Sequence, residues 1–184
     1  MLQNTIISRI IEFLAVIFNL LFTWLYILGT PWCFLFGILG PVFLFVLCYQ
    51  RKLYADAFLQ LAYIGFAIFG YLQVASGWHA MILPSSNHVL LISLGLIITL
   101  VSGKLLSSKT DAQFPYIDSF TTAFALIATF LMMIPVKEAW LYFMVINTTS
   151  LFMYAQRKLY YGAFMFLVYL AMSIDGYFIF GWFS

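Results

Sequence analysis

Charge is what this chain has least of. Only 8% of its 184 residues are Asp, Glu, Lys or Arg, where a soluble domain carries about 25%. So few charges cannot cover a water-facing surface, which excludes a soluble globular protein. The net charge of +2 is small, and no nucleic-acid partner is expected. Cysteine is scarce too. Cys33 and Cys48 are the only two, and fifteen helical residues hold them about 22 Å apart. A disulfide needs Cα atoms within about 7 Å, so both are read as free thiols. No Cys-x-x-Cys pattern is present, and no metal or cofactor is expected. His79 and His88 are the only histidines. They fall between apolar runs, read here as a solvated outer loop, with no supporting ligands nearby. A membrane enzyme would need a nucleophile–base pair or a metal cluster, so the chain is not expected to be an enzyme. The N-terminal apolar run, from behind Arg9 to Leu28, is followed by no small-residue cleavage site. It reads as a retained helix rather than a secretory signal.

What is present is hydrophobic: 65% of the residues, with 21% aromatic. A helix crosses the hydrocarbon core with about 20 mostly apolar residues. Seven runs qualify: Ile7–Leu28, Trp32–Cys48, Leu53–Val74, Val89–Leu106, Tyr116–Ile134, Ala139–Tyr154 and Leu159–Trp182. The fold class is therefore all-α integral membrane. Breaks fall at Gly29–Pro31, Ser76, Pro84 and Pro135. No linker is long enough to divide the chain, so residues 1–184 are read as one transmembrane domain. The longest connection, Ser76–His88, is expected to form a short interfacial piece around Trp78.

The basic residues orient the bundle. Arg9, Arg51, Lys52, Lys104, Lys109, Arg157 and Lys158 fall on one side of a seven-span topology, and Lys137 alone falls on the other. Positive residues stay in the cytoplasm, which puts the N-terminus inside and the C-terminus outside. A miscounted helix would scramble this alternation.

The chain also repeats itself. Gln50–Tyr71 (QRKLYADAFLQLAYIGFAIFGY) and Gln156–Tyr177 (QRKLYYGAFMFLVYLAMSIDGY) agree at 12 of 22 positions without a gap, at an offset of 106. The third helix thus recurs as the seventh. The same offset pairs Glu12 with Asp118, each expected to stabilise a helix N-terminus. Two triplets (7–74 and 116–182) both begin on the cytoplasmic side. A triplet has an odd number of spans, so the fourth helix (89–106) is needed as a connector. This 3-1-3 plan is that of parallel-repeat transporters, which bind substrate near the midplane between repeats.

Polar groups in hydrocarbon are costly, and those retained face a bundle interior or a cavity. Asn19, Tyr63, Asn147 and Tyr169 fall near mid-span, with Gln60 one turn from Tyr63. Tyr169, Ser173 and Gly176 share one helix face, as do Trp140, Phe143 and Asn147. Tyr63 and Tyr169 are symmetric and could equally serve helix contacts. Gly70 and Gly176 read as close-packing positions, and Asp56 as a partner of Arg51 and Lys52. Asp175 stands where the first repeat has Phe69. An intramembrane carboxylate is a functional candidate by default. Beside Trp140 it would suit an organic cation; an ion pair with Lys137 closing the outer face is the alternative.

Leu53-Tyr54-Ala55-Asp56 with Leu59-Gln60 and Gly70, then Asp118-Ser119-Phe120, Lys137-Glu138-Ala139-Trp140, Asn147 and Lys158-Leu159-Tyr160, resemble PnuC-type vitamin transporters. The likeness runs from Glu12 to Trp182. It implies facilitated diffusion of a B-type vitamin with alternating access. Phosphorylation by a cytoplasmic kinase would trap the product, and a homotrimer in the bacterial cytoplasmic membrane is implied. Members carry nicotinamide riboside, thiamine or riboflavin. Nicotinamide riboside carriers typically show Trp-x-x-Trp at the start of the sixth helix; here the second position is Phe143. The resemblance therefore transfers Trp140, Asn147 and Gln60 as substrate-binding candidates but no second tryptophan. Tyr63, Tyr169, Asp175, Phe143 and Asn19 complete the candidate set. The added carboxylate of Asp175 favours thiamine, with nicotinamide riboside next. A proton-coupled carrier using Asp175 and a non-transporting membrane scaffold are the remaining alternatives.

Overall fold

The computed structural model describes residues 5–50, 54–75, 77, 81–110, 113–156 and 160–179. Seven helices follow one another: α1 (Thr5–Ile27), α2 (Cys33–Gln50), α3 (Tyr54–Ala75), α4 (Ser85–Lys109), α5 (Pro115–Met133), α6 (Ala139–Gln156) and α7 (Tyr160–Ile179). Among the described residues the one non-helical pairing is an isolated bridge between Met81 and Val136. Among the described residues, five segments are long and apolar enough to cross a membrane: Arg9–Ile27, Cys33–Gln50, Ala57–Val74, Ser85–Lys109 and Pro115–Met133. The apolar part of α7 is shorter, Ala163–Ile179. α6 is the polar member of the set, because Asn147, Thr148, Thr149 and Ser150 interrupt its middle. Its threonines return their hydroxyls to their own helix, Thr148 to the Met144 carbonyl at 2.8 Å and Thr149 to that of Val145 at 2.8 Å. This spares them the cost of an unpaired donor in lipid.

Several expectations are revised. α4 begins at Ser85 rather than Val89 and runs to Lys109. His88 is therefore a helical residue in the first turn of α4, not part of a solvated loop. Pro84 sets the break: it ends the preceding extended segment at φ −56°, ψ 142° and caps α4. Glu12 lies two turns into α1 rather than at its N-terminus, beyond the reach of the helix dipole. Asp118 does stand in the first turn of α5. The segment around Trp78, His79 and the side chain of Asp56 lie outside the described residues. Cys33 and Cys48 are not joined in a disulfide.

The chain divides into two compact units, Met1–His79 with Ile179–Ser184, and Ala80–Phe178. In the first, α1 packs on α2 and α2 on α3. Gly29, at φ 70°, ends α1 in the left-handed conformation that glycine adopts without penalty. Its N–H donates to the Tyr26 carbonyl at 3.0 Å, and that of Thr30 reaches back to Leu25 at 3.0 Å, the paired bonds of a Schellman stop. Two glycines let α2 approach its neighbours. A Cβ on Gly40 would stand 2.7 Å from Asn19 Oδ1, and one on Gly37 would stand 2.8 Å from the Phe22 ring. Pro41 follows inside α2. It lacks the N–H that the helix ladder needs.

In the second unit α5 is the central element, with α4 and α6 packed on it. Its core contains Ala123, Phe124, Ala128 and Ile146. The α5–α6 turn is pinned to the segment preceding α4: the Met81 N–H donates to the Pro135 carbonyl at 3.0 Å, and the Lys137 N–H to the Met81 carbonyl at 3.2 Å. One step further, the Leu83 N–H donates to a Glu138 carboxylate oxygen at 3.4 Å. These bonds hold the start of α4 beside the start of α6.

Candidate functional site

The second unit brings together the two helix faces that spacing marked out. Asn147, in the middle of α6, donates through Nδ2 to the Ser173 hydroxyl on α7 at 2.9 Å. Ser173 donates in turn to the Tyr169 carbonyl at 2.7 Å. Both side chains are buried. An amide and a hydroxyl that would each be costly alone in an apolar medium thus satisfy one another.

Two turns along the same seam, the Trp140 indole covers Gly176. A Cβ on that glycine would stand 2.5, 2.6 and 2.7 Å from Cδ2, Cε2 and Cε3 of the ring. Three such similar distances place the ring face over the glycine backbone. Trp140 is only 2% exposed. Phe143 stands beside it with ring centroids 6.2 Å apart and planes inclined at 52°. The expected close-packing role of Gly176 is thus realised with a specific partner. Lys137 holds its ammonium 4.9 Å from the centroid of the Tyr177 ring, a cation–π distance.

Asp175 is not on this seam. It precedes Gly176 and so projects about 100° around α7, where it is exposed. A carboxylate on an apolar helix needs water, a cation or a polar partner around it. Tyr169 is half-buried, and its carbonyl belongs to the seam.

Asn19, Gln60 and Tyr63 belong to the first unit. Asn19 faces Gly40 on α2, next to the proline-interrupted part of that helix, and its carbonyl accepts from Thr23 at 3.1 Å. Gln60 and Tyr63 are half-buried, one turn apart on α3. Of the eight candidate residues, Trp140, Phe143, Asn147 and Tyr169 are gathered at or beside the α6–α7 seam, and Asp175 flanks it. Among the described residues no three His, Cys, Asp or Glu side chains come together to hold a metal ion.

Two residues of the site are not legible from spacing alone. Ser173 shares a helix face with Tyr169 and Gly176, and its one sequence signal is that it stands where the first repeat has Ala67. His88, read as solvated, is bonded through Nδ1 to the Tyr142 hydroxyl at 3.0 Å. No local spacing links residues on two different helices.

A multi-pass helical membrane protein with a polar, aromatic seam between its last two helices is the class defined by this architecture. Residues 9–184 match the model of a family described as nicotinamide mononucleotide transporter, and the chain belongs to that family of membrane transporters rather than to an enzyme family. A crystal structure of the vitamin B3 transporter PnuC is similar in fold, with a TM-score of 0.73 at 20% identity over 92% of this chain and 80% of that one. No curated protein matches the chain.

Proposed function

We propose that the protein carries an unphosphorylated cationic B-type vitamin across the membrane by facilitated diffusion, with thiamine as the substrate favoured. The observation that carries the cationic reading is the exposed carboxylate of Asp175, flanking a seam walled by Trp140 and Phe143. A quaternary ring nitrogen is attracted both to a carboxylate and to an aromatic face. The distribution of basic residues argues against a phosphorylated cargo. Among the described residues, Arg9, Lys104, Lys109 and Lys137 lie between helices or in the end thirds of them, and the other four Lys and Arg fall between the apolar runs of the sequence. A phosphate at mid-membrane would have no basic partner to receive it.

Nicotinamide riboside is the second reading. Its pyridinium is also cationic, and it is the unphosphorylated relative of the cargo in the family's description. Phe143 in place of a second tryptophan and the added Asp175 favour thiamine over it. Riboflavin, neutral and larger, fits Asp175 least.

In this reading Asn147, Gln60 and Tyr63 recognise polar groups of the vitamin, Asn19 and Tyr169 support them, and the protein alternates access. Phosphorylation by a cytoplasmic kinase traps the vitamin. The resemblance supports a homotrimer in the bacterial cytoplasmic membrane. The single basic residue on one side against seven on the other supports a cytoplasmic N-terminus and an external C-terminus.

Binding of thiamine, nicotinamide riboside and riboflavin to the purified protein tests the substrate. Tightest binding of thiamine is expected; tighter binding of nicotinamide riboside would move the assignment to the second reading. Uptake into proteoliposomes tests the mechanism. Equilibration without a gradient is expected, and gradient-driven accumulation of unmodified vitamin would replace it with a proton-coupled carrier.

A further inference from the structure

A groove lies on the opposite side of α6 from the α6–α7 seam. At 100° per residue, Trp140, Phe143 and Asn147 centre on one face, and Glu138, Leu141 and Val145 on a face about 180° away. On that far side a groove of about 420 Å³ runs between α4 and α6 over α5. Its walls are open to the surroundings: Ile92 is 41% exposed, Leu96 47% and Val145 56%. Its floor is closed, since Phe124 and Ile146 belong to the core. The head of the groove, where α4 and α6 begin, is polar. There the His88–Tyr142 bond joins the two helices, and Glu138 receives the Leu83 N–H.

One atom at this head is unaccounted for. His88 Nε2 is buried and has no hydrogen-bond partner, although His88 forms part of the groove wall. A buried, unpaired ring nitrogen is costly and calls for an explanation. Below the head, nothing in the walls or floor can hydrogen-bond a polar ligand, because the side chains there are aliphatic or phenylalanine. The occupant must therefore be apolar along most of its length, with a polar group at one end near the start of α4. From His88 to Leu96 the groove follows α4 for about 12 Å of rise, against about 30 Å for a bilayer's whole hydrocarbon core.

We propose that this groove seats one acyl chain of a bilayer phospholipid, with the ester region of the same lipid at His88. The exposed apolar surface beyond it on α4, including Leu94 and Val101, is covered by lipid in any membrane-spanning reading of this 25-residue segment, so the groove opens directly onto its own ligand. An ester carbonyl that displaces the side chains now covering His88 Nε2 supplies the acceptor that Nε2–H lacks when Nδ1 accepts from the Tyr142 hydroxyl. Lipid tails are as apolar as leucine, so the chain gains no hydrophobic energy on leaving the bilayer for the groove. Retention comes from packing against Phe124 and Ile146 and from the polar head. The lipid is therefore enriched at the site without being locked there. This inference depends on membrane insertion and not on which vitamin is carried.

The test uses the full-length protein in vesicles of phosphatidylethanolamine and phosphatidylglycerol. These contain a small fraction of phospholipid bearing a photoreactive diazirine on one acyl chain. After irradiation, adducts are mapped by mass spectrometry. Adducts at Ile92, Leu96 and Val145 are expected to exceed those at Leu94 and Val101, on the other side of α4, by about threefold or more, a modest enrichment because tail and wall are alike in polarity. Ile92→Trp on one wall and Val145→Trp on the other should each remove that excess while leaving labelling of Leu94 and Val101 unchanged. His88→Phe should reduce it. Equal labelling of groove and control residues in the unmodified protein would overturn the proposal without recourse to any variant. So would disulfide-linked dimers formed through Val145→Cys, which would make the groove a seat for a second copy.

Discussion

The Trp140 indole lies across the Gly176 backbone with no room for a methyl group between them, since a Cβ there would come within 2.5 Å of the ring. Glycine at 176 is therefore a packing requirement. Gly176→Ala is expected to destabilise the protein by about 1–3 kcal/mol, the usual cost of overpacking. Gly65→Ala serves as the contrast, because a Cβ there meets nothing within 4 Å. It should be neutral or stabilise by roughly 0.5–1 kcal/mol through the higher helix propensity of alanine. Thermal unfolding of the two variants in detergent reads the difference, and equal melting temperatures would contradict the packing described.

Truncating Trp140 acts on the fold before it acts on a ligand. With a side chain that is 2% exposed, Trp140→Ala should cost about 3–5 kcal/mol of stability. Trp140→Phe keeps a ring over Gly176 and is the variant with which to read substrate affinity. If that ring also stacks on the vitamin, the phenylalanine variant should fold normally and bind more weakly. Unchanged affinity in a well-folded Trp140→Phe protein would make the residue purely architectural.

The Asn147–Ser173 bond predicts a measurable coupling. Interhelical hydrogen bonds in membrane proteins are worth about 0.6 kcal/mol on average and up to about 1.7. A double-mutant cycle of Asn147→Ala and Ser173→Ala should return a coupling in that range. A coupling near zero would mean that the contact contributes nothing to holding α6 against α7. A fall in vitamin affinity for Asn147→Ala but not for Ser173→Ala would assign the amide to the ligand as well.

Asp175 is the residue on which the cationic reading turns. Asp175→Asn removes the charge and keeps the shape. It should weaken thiamine binding by about tenfold or more, which is 1.4 kcal/mol, with little change in melting temperature because the side chain is exposed. Calorimetric titration measures it. Thiamine affinity equal to that of the unmodified protein would remove Asp175 from the site.

Much of this protein is legible in one dimension. A helix in lipid must satisfy every backbone group internally, so an apolar run of sufficient length has one available conformation. This is why the starts and ends of α1, α2, α3, α5 and α6 fall within two residues of the limits expected from hydropathy. α4 departs from its expected start by four residues, since Ser85, Ser86 and Asn87 are polar yet helical; Pro84 starts the helix irrespective of its apolar content. The spacing of Tyr169, Ser173 and Gly176, and that of Trp140, Phe143 and Asn147, identified two faces because the 3.6-residue period holds along any helix.

Which partner each face meets could not be read this way. That Asn147 finds Ser173, that Trp140 covers Gly176 and that His88 reaches Tyr142 depends on the side-by-side placement of helices, decided by where side-chain volumes and small residues fit together. The sequence by itself determined the membrane class, the helices and the internal repeat, through composition and periodicity. Only the tertiary structure decided that Trp140 is buried against a glycine, that Asp175 stands free of the α6–α7 seam, and that a lipid-sized groove lies behind α6. Those are properties of distances between residues far apart in the chain.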